Sequence, residues 1–426
     1  MKIAIAGYGI EGESNYRYWA ADSNNIITIV DQRKPDIEIP SGVETIIGGG
    51  AFEKLQDFDM VIRTAGLAPR KIKTNGKIWS ATNEFFVKCP ARIIGVTGTK
   101  GKGTTASLIA GILEASGKKI WLIGNIGRPA LDVLGQIQKD DMVVYELSSF
   151  QLWDLEKSPH VAVILYIEQE HLDVHNDIEE YVSAKANITK QQTPEDILIY
   201  NESNQYAISI ANGSKARKFG YPDIKSAHVS DGDFYYSEQK ICSTDVLQLL
   251  GKHNQDNACA AIDAVWGLTN DIKVIEEGLA GFSGLPHRLH FIRDIKGVKY
   301  YDDSIATTPT SAIAALRSFA EPKVIILGGS SKGSDFTELG KELTKHDVRA
   351  ILIGDEAANI AKTCQLAGFY DFEIMDNPTM ENIVRRAQLL AKNDSVVLLS
   401  PACASFGLFK NYVDRGEQYI SAVNNL

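Results

Sequence analysis

The sequence has little of what would place it in several large classes. It holds five cysteines among 426 residues, Cys89, Cys242, Cys259, Cys364 and Cys403. They are scattered and no C-x-x-C pair occurs, so neither a disulfide framework nor a zinc site is expected. There is no basic excess. The formal net charge is −10, which argues against a nucleic-acid-binding protein. No apolar run reaches membrane-spanning length, and the chain opens on a strand pattern rather than a signal peptide. No membrane insertion and a reducing, cytoplasmic setting are therefore expected. Repeats and low-complexity tracts are also missing. What remains is an ordinary globular composition, 44% apolar and 23% charged, with length enough for two or three domains.

What the chain does have is a glycine-rich turn between an apolar run and a helical pattern. The run Ala91 to Val96 reads as a short buried strand, and Thr104 to Ala115 as a helix. Between them lie Gly98, Thr99, Lys100, Gly101, Lys102 and Gly103. This is the layout of a phosphate-binding loop: glycines let backbone N–H groups converge on an anion, and the helix N-terminus adds partial positive charge. Lys102 supplies a full charge for terminal phosphates. Gly103 stands where a Ser or Thr would hold magnesium, so Thr104 and Thr105 are the candidates to serve instead.

Ahead of this loop, a strand at 2–6 runs into Gly7, Gly9 and Gly12 in the spacing G-x-G-x-x-G, then Ser14 and a helical stretch. A second strand, 26–30, ends at Asp31, where a dinucleotide-binding fold places its ribose acid. The motif is a weak one and leaves open a nicotinamide cofactor or another nucleotide. A further strand, Met60 to Arg63, leads into the turn that holds Gly66, and a first Rossmann-like domain is expected to close near Lys88.

Three more strand patterns follow the phosphate loop: 119–123, leading to Asn125; 142–147, containing Glu146; and 161–167, leading to Glu170 and His171. In open α/β sheets ligands bind beyond the carboxyl ends of strands, so the loop, Glu146 and the Glu170/His171 pair are expected on one rim. Oxygen ligands there suit magnesium, and one imidazole could join them. A helix at 179–188 carries Tyr181 and Lys185 one turn apart, 231–242 reads as a hairpin, and a helix opens after Gly251. Asn254 and Asn257 near its start can cap it or read a base edge. From Leu285 on, strands at 298–301, 324–327, 350–353 and 395–399 alternate with helices, and each ends in glycine or polar residues. The fold expected is α/β with three domains. Residues 1–88 form a Rossmann-like domain, 89–284 a central P-loop ATPase domain with a mostly parallel sheet, and 285–426 a second Rossmann-like domain.

Together these motifs resemble the Mur ligase family, ATP-dependent enzymes that add amino acids to UDP-N-acetylmuramic acid peptides. The phosphate loop resembles G-T-N-G-K-[ST]-T, Glu146 to Gln151 resembles E-x-S-S-F-Q, and Tyr181 to Lys185 resembles Y-x-x-A-K. Gly251 to Asn257 resembles G-x-H-N-x-x-N, and Leu285 to Arg288 is L-P-H-R. Ser400 to Ser405, Phe409 to Tyr412, and Arg415-Gly416 resemble the branch that adds D-glutamate to UDP-N-acetylmuramoyl-L-alanine.

The resemblance implies roles. Lys102 holds the ATP phosphates. Thr104, Glu146, His171 and Lys185, the last as a carbamate, surround Mg2+. Asn254 and Asn257 face adenine, with Arg288 and Asp303 at ribose and phosphates. Gly9, Gly12, Ser14, Asp31, Arg33, Gly66 and Asn125 line the UDP substrate. Thr307, Lys332, Ser405 and Tyr412 surround the D-glutamate. His171 or a bound carboxylate is a candidate base, and a monomer is expected.

Several positions depart from the pattern: Gly103; Tyr166, Glu168 and Glu170 before the histidine; His290; Ile305; and Gly407. Other readings are a ligase for another amino acid, a folate polyglutamylating enzyme, a nucleotide-sugar-binding protein without turnover, or a nicotinamide dehydrogenase. The last leaves the phosphate loop and Lys332 unexplained.

Overall fold

A computed structural model describes residues 1–124, 128–172, 174–249, 251–331 and 333–426. The chain divides into two compact units, Met1–Gln248 with Lys252–Phe282, and Leu249–Gly251 with Ser283–Leu426. Among the described residues the strands form four sheets.

The first unit opens with β1 (Lys2–Ala6), α1 (Ile10–Ala20), β2 (Ile26–Asp31), β3 (Glu44–Ile47), β4 (Met60–Arg63), β5 (Lys77–Ser80) and α2 (Ala81–Lys88). The strands pair in parallel in the order β3-β2-β1-β4-β5. The apolar strands at the centre are buried, as parallel strands covered on both faces must be. Helix α1 begins at Ile10, earlier than its sequence suggests, and so takes in Gly12 and Ser14, both buried. Gly12 is required there: a Cβ would stand 2.2 Å from the Gly7 carbonyl oxygen. The short strands β3 and β5 were not legible, because four residues carry too little pattern to separate from loop.

The second sheet of this unit is built from β6 (Arg92–Thr97), β7 (Ile120–Gly124), β8 (Met142–Glu146), β9 (Val161–Ile164), β10 (Ile197–Asn201) and β11 (Arg217–Tyr221). It is parallel throughout, in the order β11-β10-β9-β6-β8-β7. Its helices are α3 (Lys102–Ala115), α4 (Ala130–Leu134), α5 (Ser149–Leu152), α6 (Ile178–Ala186), α7 (Gln205–Gly213), α8 (Lys252–Trp266) and α9 (Ile272–Ala280). Strand β9 stops three residues short of the expected end. Past Ile164 the backbone turns to serve the phosphate loop: Leu165 N–H donates to Thr97 O, and Tyr166 O accepts from Thr99 N–H. The expected hairpin is part of an antiparallel three-stranded sheet, β12 (Ala227–Ser230), β13 (Asp233–Tyr236) and β14 (Gln239–Ser243), with Gly232 between the first two strands. Asn254 is the third residue of α8 and not its cap.

The first two sheets of this unit share structure. Phe85 and Phe86 of α2 pack on Tyr145 of β8 at 5.4 and 5.6 Å, so α2 belongs to the core of the second sheet. Arg63, at the end of β4, is fully buried. Its guanidinium grips both carboxylate oxygens of Asp154 and donates to Phe150 O at 2.9 Å.

The second unit contains β15 (His290–Ile295), β16 (Val298–Asp302), α10 (Pro309–Arg317), β17 (Lys323–Gly328), α11 (Thr337–Leu343), β18 (Val348–Ile353), α12 (Ala357–Leu366), β19 (Phe372–Met375), α13 (Met380–Leu390), β20 (Val396–Leu399) and α14 (Tyr412–Asn424). Its sheet runs β15-β16-β20-β17-β18-β19, parallel except for the edge strand β15. Two apolar layers cover its faces. Among the described residues no helix is long and apolar enough to cross a membrane.

One buried acid on α8 sets a pH dependence. Asp263 accepts from Ala227 N–H at 2.9 Å, and burial pushes its carboxyl up to about 7. A carboxyl raised on folding favours the protonated native state. Its contribution is full below the unfolded value near 4 and is lost as pH rises through 7. Asp263→Asn keeps an acceptor for Ala227 and removes the buried charge. The variant is expected to be more stable than the wild type at pH 8 by about 1–3 kcal/mol, with the gap closing toward pH 5. Thermal melts of both proteins across that range check it.

Candidate functional site

The phosphate loop leaves β6, which lies between β8 and β9, so all three strand ends reach one rim. Glycine is demanded twice. Gly98 has φ 156° and Gly101 has φ 84°, and a Cβ on Gly101 would stand 2.3 Å from Asn257 Oδ1. That close approach ties the start of α8 to the loop, and Asn257 Nδ2 donates to Asn254 Oδ1 at 3.2 Å. Helix α3 begins at Lys102, whose Nζ lies over the loop and donates to Gly98 O and Thr99 O at 3.2 and 2.9 Å. Lys100, at the loop tip, pairs with Glu168 at 2.5 Å. Gly103 and Thr104 fall in the first turn of α3. Thr105 is fully buried and its hydroxyl finds no hydrogen-bond partner among the described residues, whereas Thr104 keeps 7% exposure, which leaves Thr104 as the better placed hydroxyl.

Lys185 lies beneath this loop. Helix α6, capped by Asp177, turns both Tyr181 and Lys185 inward. Lys185 is 1% exposed and donates from Nζ to Gly98 O at 2.7 Å, with Thr97 Oγ1 at 3.5 Å and the Tyr181 ring centroid at 4.5 Å. Tyr181 OH in turn meets Thr99 Oγ1 at 3.1 Å. Burial, with the Lys102 charge beside it, holds the Lys185 amine well below the ordinary lysine value, against the pull of Glu170 and Glu146. The amine is therefore neutral far more often than a surface lysine's.

Glu146 ends β8 and is buried. His171 is exposed, in the left-handed region at φ 57°, with Nε2 3.7 Å from Glu170 and its ring 4.9 Å from that of Phe150. Among the described residues no three His, Cys, Asp or Glu side chains are grouped to hold a metal. Glu146 lies close enough to act on the Lys185 amine, and the His171 ring stands 6.3 Å from that of Tyr181. A second histidine carried no assignment in the sequence. His175 is buried, with Nε2 3.0 Å from Ser149 Oγ, and it sits against the rings of Phe150, Trp153 and Tyr181. Burial lowers its pKa. Only its place four residues after His171 could have signalled it.

On the N-terminal sheet, β1, β2 and β4 are neighbours, so Gly9, Asp31, Arg33 and Gly66 follow adjacent strand ends on one rim. Gly9, Arg33 and Gly66 are exposed. Asp31 accepts from Tyr8 N–H and Arg33 N–H at 2.8 and 3.2 Å, shaping the glycine turn. Ser14 lies elsewhere: its hydroxyl donates to Asp132 of α4 at 2.8 Å, joining the two sheets. Asn125 and Lys332 lie outside the described residues.

In the second unit, Asp303 accepts from Leu289 N–H and Ser400 Oγ–H at 3.1 and 2.7 Å, and burial pushes its carboxyl up to about 7. Arg288 is exposed, Thr307 partly buried and Ser405 buried. Ile305, half-buried, donates its N–H to His287 O. Tyr412 is 39% exposed, with its carbonyl held by Ser304 Oγ–H and its ring edge-on to His287. The sequence motifs contained His287 and Arg415 without roles. Here His287 pairs with buried Asp302 at 2.6 Å, and Arg415 donates to Ser304 Oγ, Ser304 O and Cys403 O.

Residues 96–265 match the Mur ligase middle domain, and residues 287–403 match the Mur ligase glutamate ligase domain. The UDP-N-acetylmuramoylalanine–D-glutamate ligase of Clostridium tetani is 35% identical over 448 aligned residues, covering 100% of this chain and 97% of that one. The chain belongs to the Mur ligase family. Two solved Mur ligases share its fold. UDP-N-acetylmuramate–alanine ligase MurC of Thermotoga maritima has a TM-score of 0.62 at 18% identity, covering 100% of this chain and 99% of that one. MurF of Thermotoga maritima, solved in complex with ADP, has a TM-score of 0.59 at 18% identity, covering 99% and 94%. Mur ligases use ATP, and the glycine loop here leads into the N-terminus of α3, where an anion is favoured.

The Gly101 contact yields a test. Gly101→Ala forces a left-handed alanine and drives Asn257 out of place, so a loss of about 1–3 kcal/mol is expected, together with weaker nucleotide binding. Denaturant titration reads the first and the ADP-induced shift in melting temperature the second. Wild-type stability with unchanged ADP binding would show that the contact is not needed.

Proposed function

We propose that this chain is an ATP-dependent ligase that adds D-glutamate to UDP-N-acetylmuramoyl-L-alanine in peptidoglycan-precursor synthesis. The observation that carries this reading is the full-length likeness to a D-glutamate ligase, with 35% identity across all of this chain. The buried amine of Lys185 under the phosphate loop supports the reaction class.

Labour is divided among three parts: residues 1–88 hold the UDP moiety, 89–284 hold ATP, and 285–426 hold the amino acid. A carboxylate resists attack by an amine. Transfer of the γ-phosphoryl group to a carboxylate oxygen of the L-alanine forms an acyl phosphate, and ADP departs. The D-glutamate nitrogen then attacks the acyl carbon, phosphate leaves, and the amine proton passes to a base, for which His171 is the candidate. Phosphoryl transfer depends on positioning and charge neutralisation, which Lys102 and the loop N–H groups provide. Mg2+, when bound, supplies further positive charge at the phosphates, with Thr104 and Glu146 as protein oxygens. Lys185, whose amine burial holds well below the ordinary lysine value, can in its neutral form add carbon dioxide and act as a carbamate oxygen donor beside them. Asn254, Asn257, Arg288 and Asp303 are assigned to the nucleotide. Thr307, Lys332, Ser405 and Tyr412 are assigned to D-glutamate, whose two carboxylates need cationic and hydrogen-bonding partners. A monomer acting in the cytoplasm suffices for this chemistry.

Phosphate release from ATP on adding UDP-N-acetylmuramoyl-L-alanine and D-glutamate tests the proposal. Release with L-glutamate alone, or with neither isomer, would overturn the substrate. Lys102→Ala is expected to cut kcat/KM by about 10²-fold or more without lowering the melting temperature. Lys185→Ala is expected to cripple turnover and to regain part of it when a short carboxylic acid is added. A fully active Lys185→Ala would remove Lys185 from the mechanism.

A further inference from the structure

Helix α6 touches the phosphate loop on one side, and an arginine from the N-terminal sheet holds it on the other. Arg70 follows β4, and its Nη1 donates to Glu180 Oε1 of α6 at 2.5 Å. Its Nη2 donates to the Val174 carbonyl, and its guanidinium lies 5.3 Å from the Trp153 ring centroid. Glu180 is itself placed by Asn176 N–H, which donates to Oε2 at 2.6 Å. The next residue on α6 is Tyr181, hydrogen-bonded to Thr99 of the loop, and one turn on is Lys185, bonded to Gly98 O. Arg70 also has a second setting. With Gln32, Gly50, Phe52, Glu53, Lys71 and Lys73 it lines a depression of about 260 Å³ at the β2 end of the N-terminal sheet, where Lys73 is paired with Glu53. Arg70 and Lys71 there, with Lys73 already paired to Glu53, leave a net positive charge that suits a diphosphate. A guanidinium has five N–H donors, so Arg70 can meet an anion in the depression while it keeps Glu180 and Val174.

We propose that Arg70 couples the two nucleotide sites, so that an anionic UDP ligand on the N-terminal sheet tightens nucleotide binding at the phosphate loop through Glu180 and α6. An Arg70 pinned by the ligand no longer samples other rotamers. Its grip then orders the 174–180 turn and α6 before the second ligand arrives, and that ligand meets a smaller entropic cost. The Arg70–Glu180 pair is part-exposed, at 36% and 23%, so alone it is a weak tie that a bound anion can strengthen. This inference rests on the assignment of UDP substrate and ATP given above.

Calorimetric titration of ADP with Mg2+, with and without saturating UDP-N-acetylmuramoyl-L-alanine, tests it. ADP permits no turnover. The wild type is expected to bind ADP about 5-fold more tightly or better when the UDP ligand is present, and the reverse titration is expected to show the same factor. In Arg70→Gln the factor falls to about 1. Glu180→Gln does the same, and joining the two substitutions adds nothing, because they break one path. Arg70→Lys, which keeps the charge but loses the span, falls between. A wild-type factor of 1, or an undiminished factor in either Arg70→Gln or Glu180→Gln, overturns the proposal. A wild type that binds no ADP would instead overturn the phosphate-loop assignment, and one that binds no UDP ligand the N-terminal assignment.

Discussion

A lysine amine buried beneath a phosphate loop is the constraint on which the site depends. An unpaired ammonium in such a place is costly, and the structure meets the cost by weakening the charge and satisfying the N–H groups. Gly98 offers its carbonyl and Tyr181 its ring face. The same two elements hold the loop from outside, through Tyr181 and Thr99, and through Thr99 and the backbone of Glu168. Loop, α6 and the end of β9 therefore form one hydrogen-bonded body. These hydrogen bonds limit the reorganisation that charge stabilisation at the loop requires.

The first unit is built so that this body is continuous with the N-terminal sheet. Buried Arg63 reaches from β4 to Asp154, Asn83 donates to the Asp154 carbonyl, and Ser14 and Arg17 both bond Asp132. A fully buried guanidinium without its carboxylate would be strongly destabilising, so the Arg63–Asp154 contact fixes the two sheets against each other. Arg70 extends the same junction to α6. The departures from the family pattern are spread over both units. Glu168 pairs with Lys100 at the loop tip, and Gly407 adopts φ 93°, which an aspartate would occupy only with strain.

In the second unit the polar core is organised by Arg415. Burial draws its pKa down to about 10, and it is held by Ser304 and the Cys403 carbonyl. Gly416 is the only residue that fits beside it, because a Cβ would stand 2.1 Å from His287 Nδ1. The Asp302–Ser304 turn, the L-P-H-R turn and the start of α14 are thereby locked together, and Tyr412 stands at the last of these.

How much of this was legible depended on whether the signal was local. The apolar runs that became β1, β4, β6, β8 and β17 stand where their composition put them, because a strand buried on both faces must be apolar throughout. The loop glycines were legible too, since only glycine meets Asn257 so closely or adopts those φ values freely. Lys185 could be placed one turn from Tyr181, but its burial could not, for a lysine on a helix is ordinarily solvated. The edge strands β3, β5, β15 and β19, half exposed and short, left no pattern to read. Arg63, Arg70, His175 and Arg415 were beyond reach for one reason. Each owes its role to partners distant in sequence, and for a charged or polar side chain only the folded neighbourhood decides between a solvated surface group and a buried, hydrogen-bonded or ring-packed one.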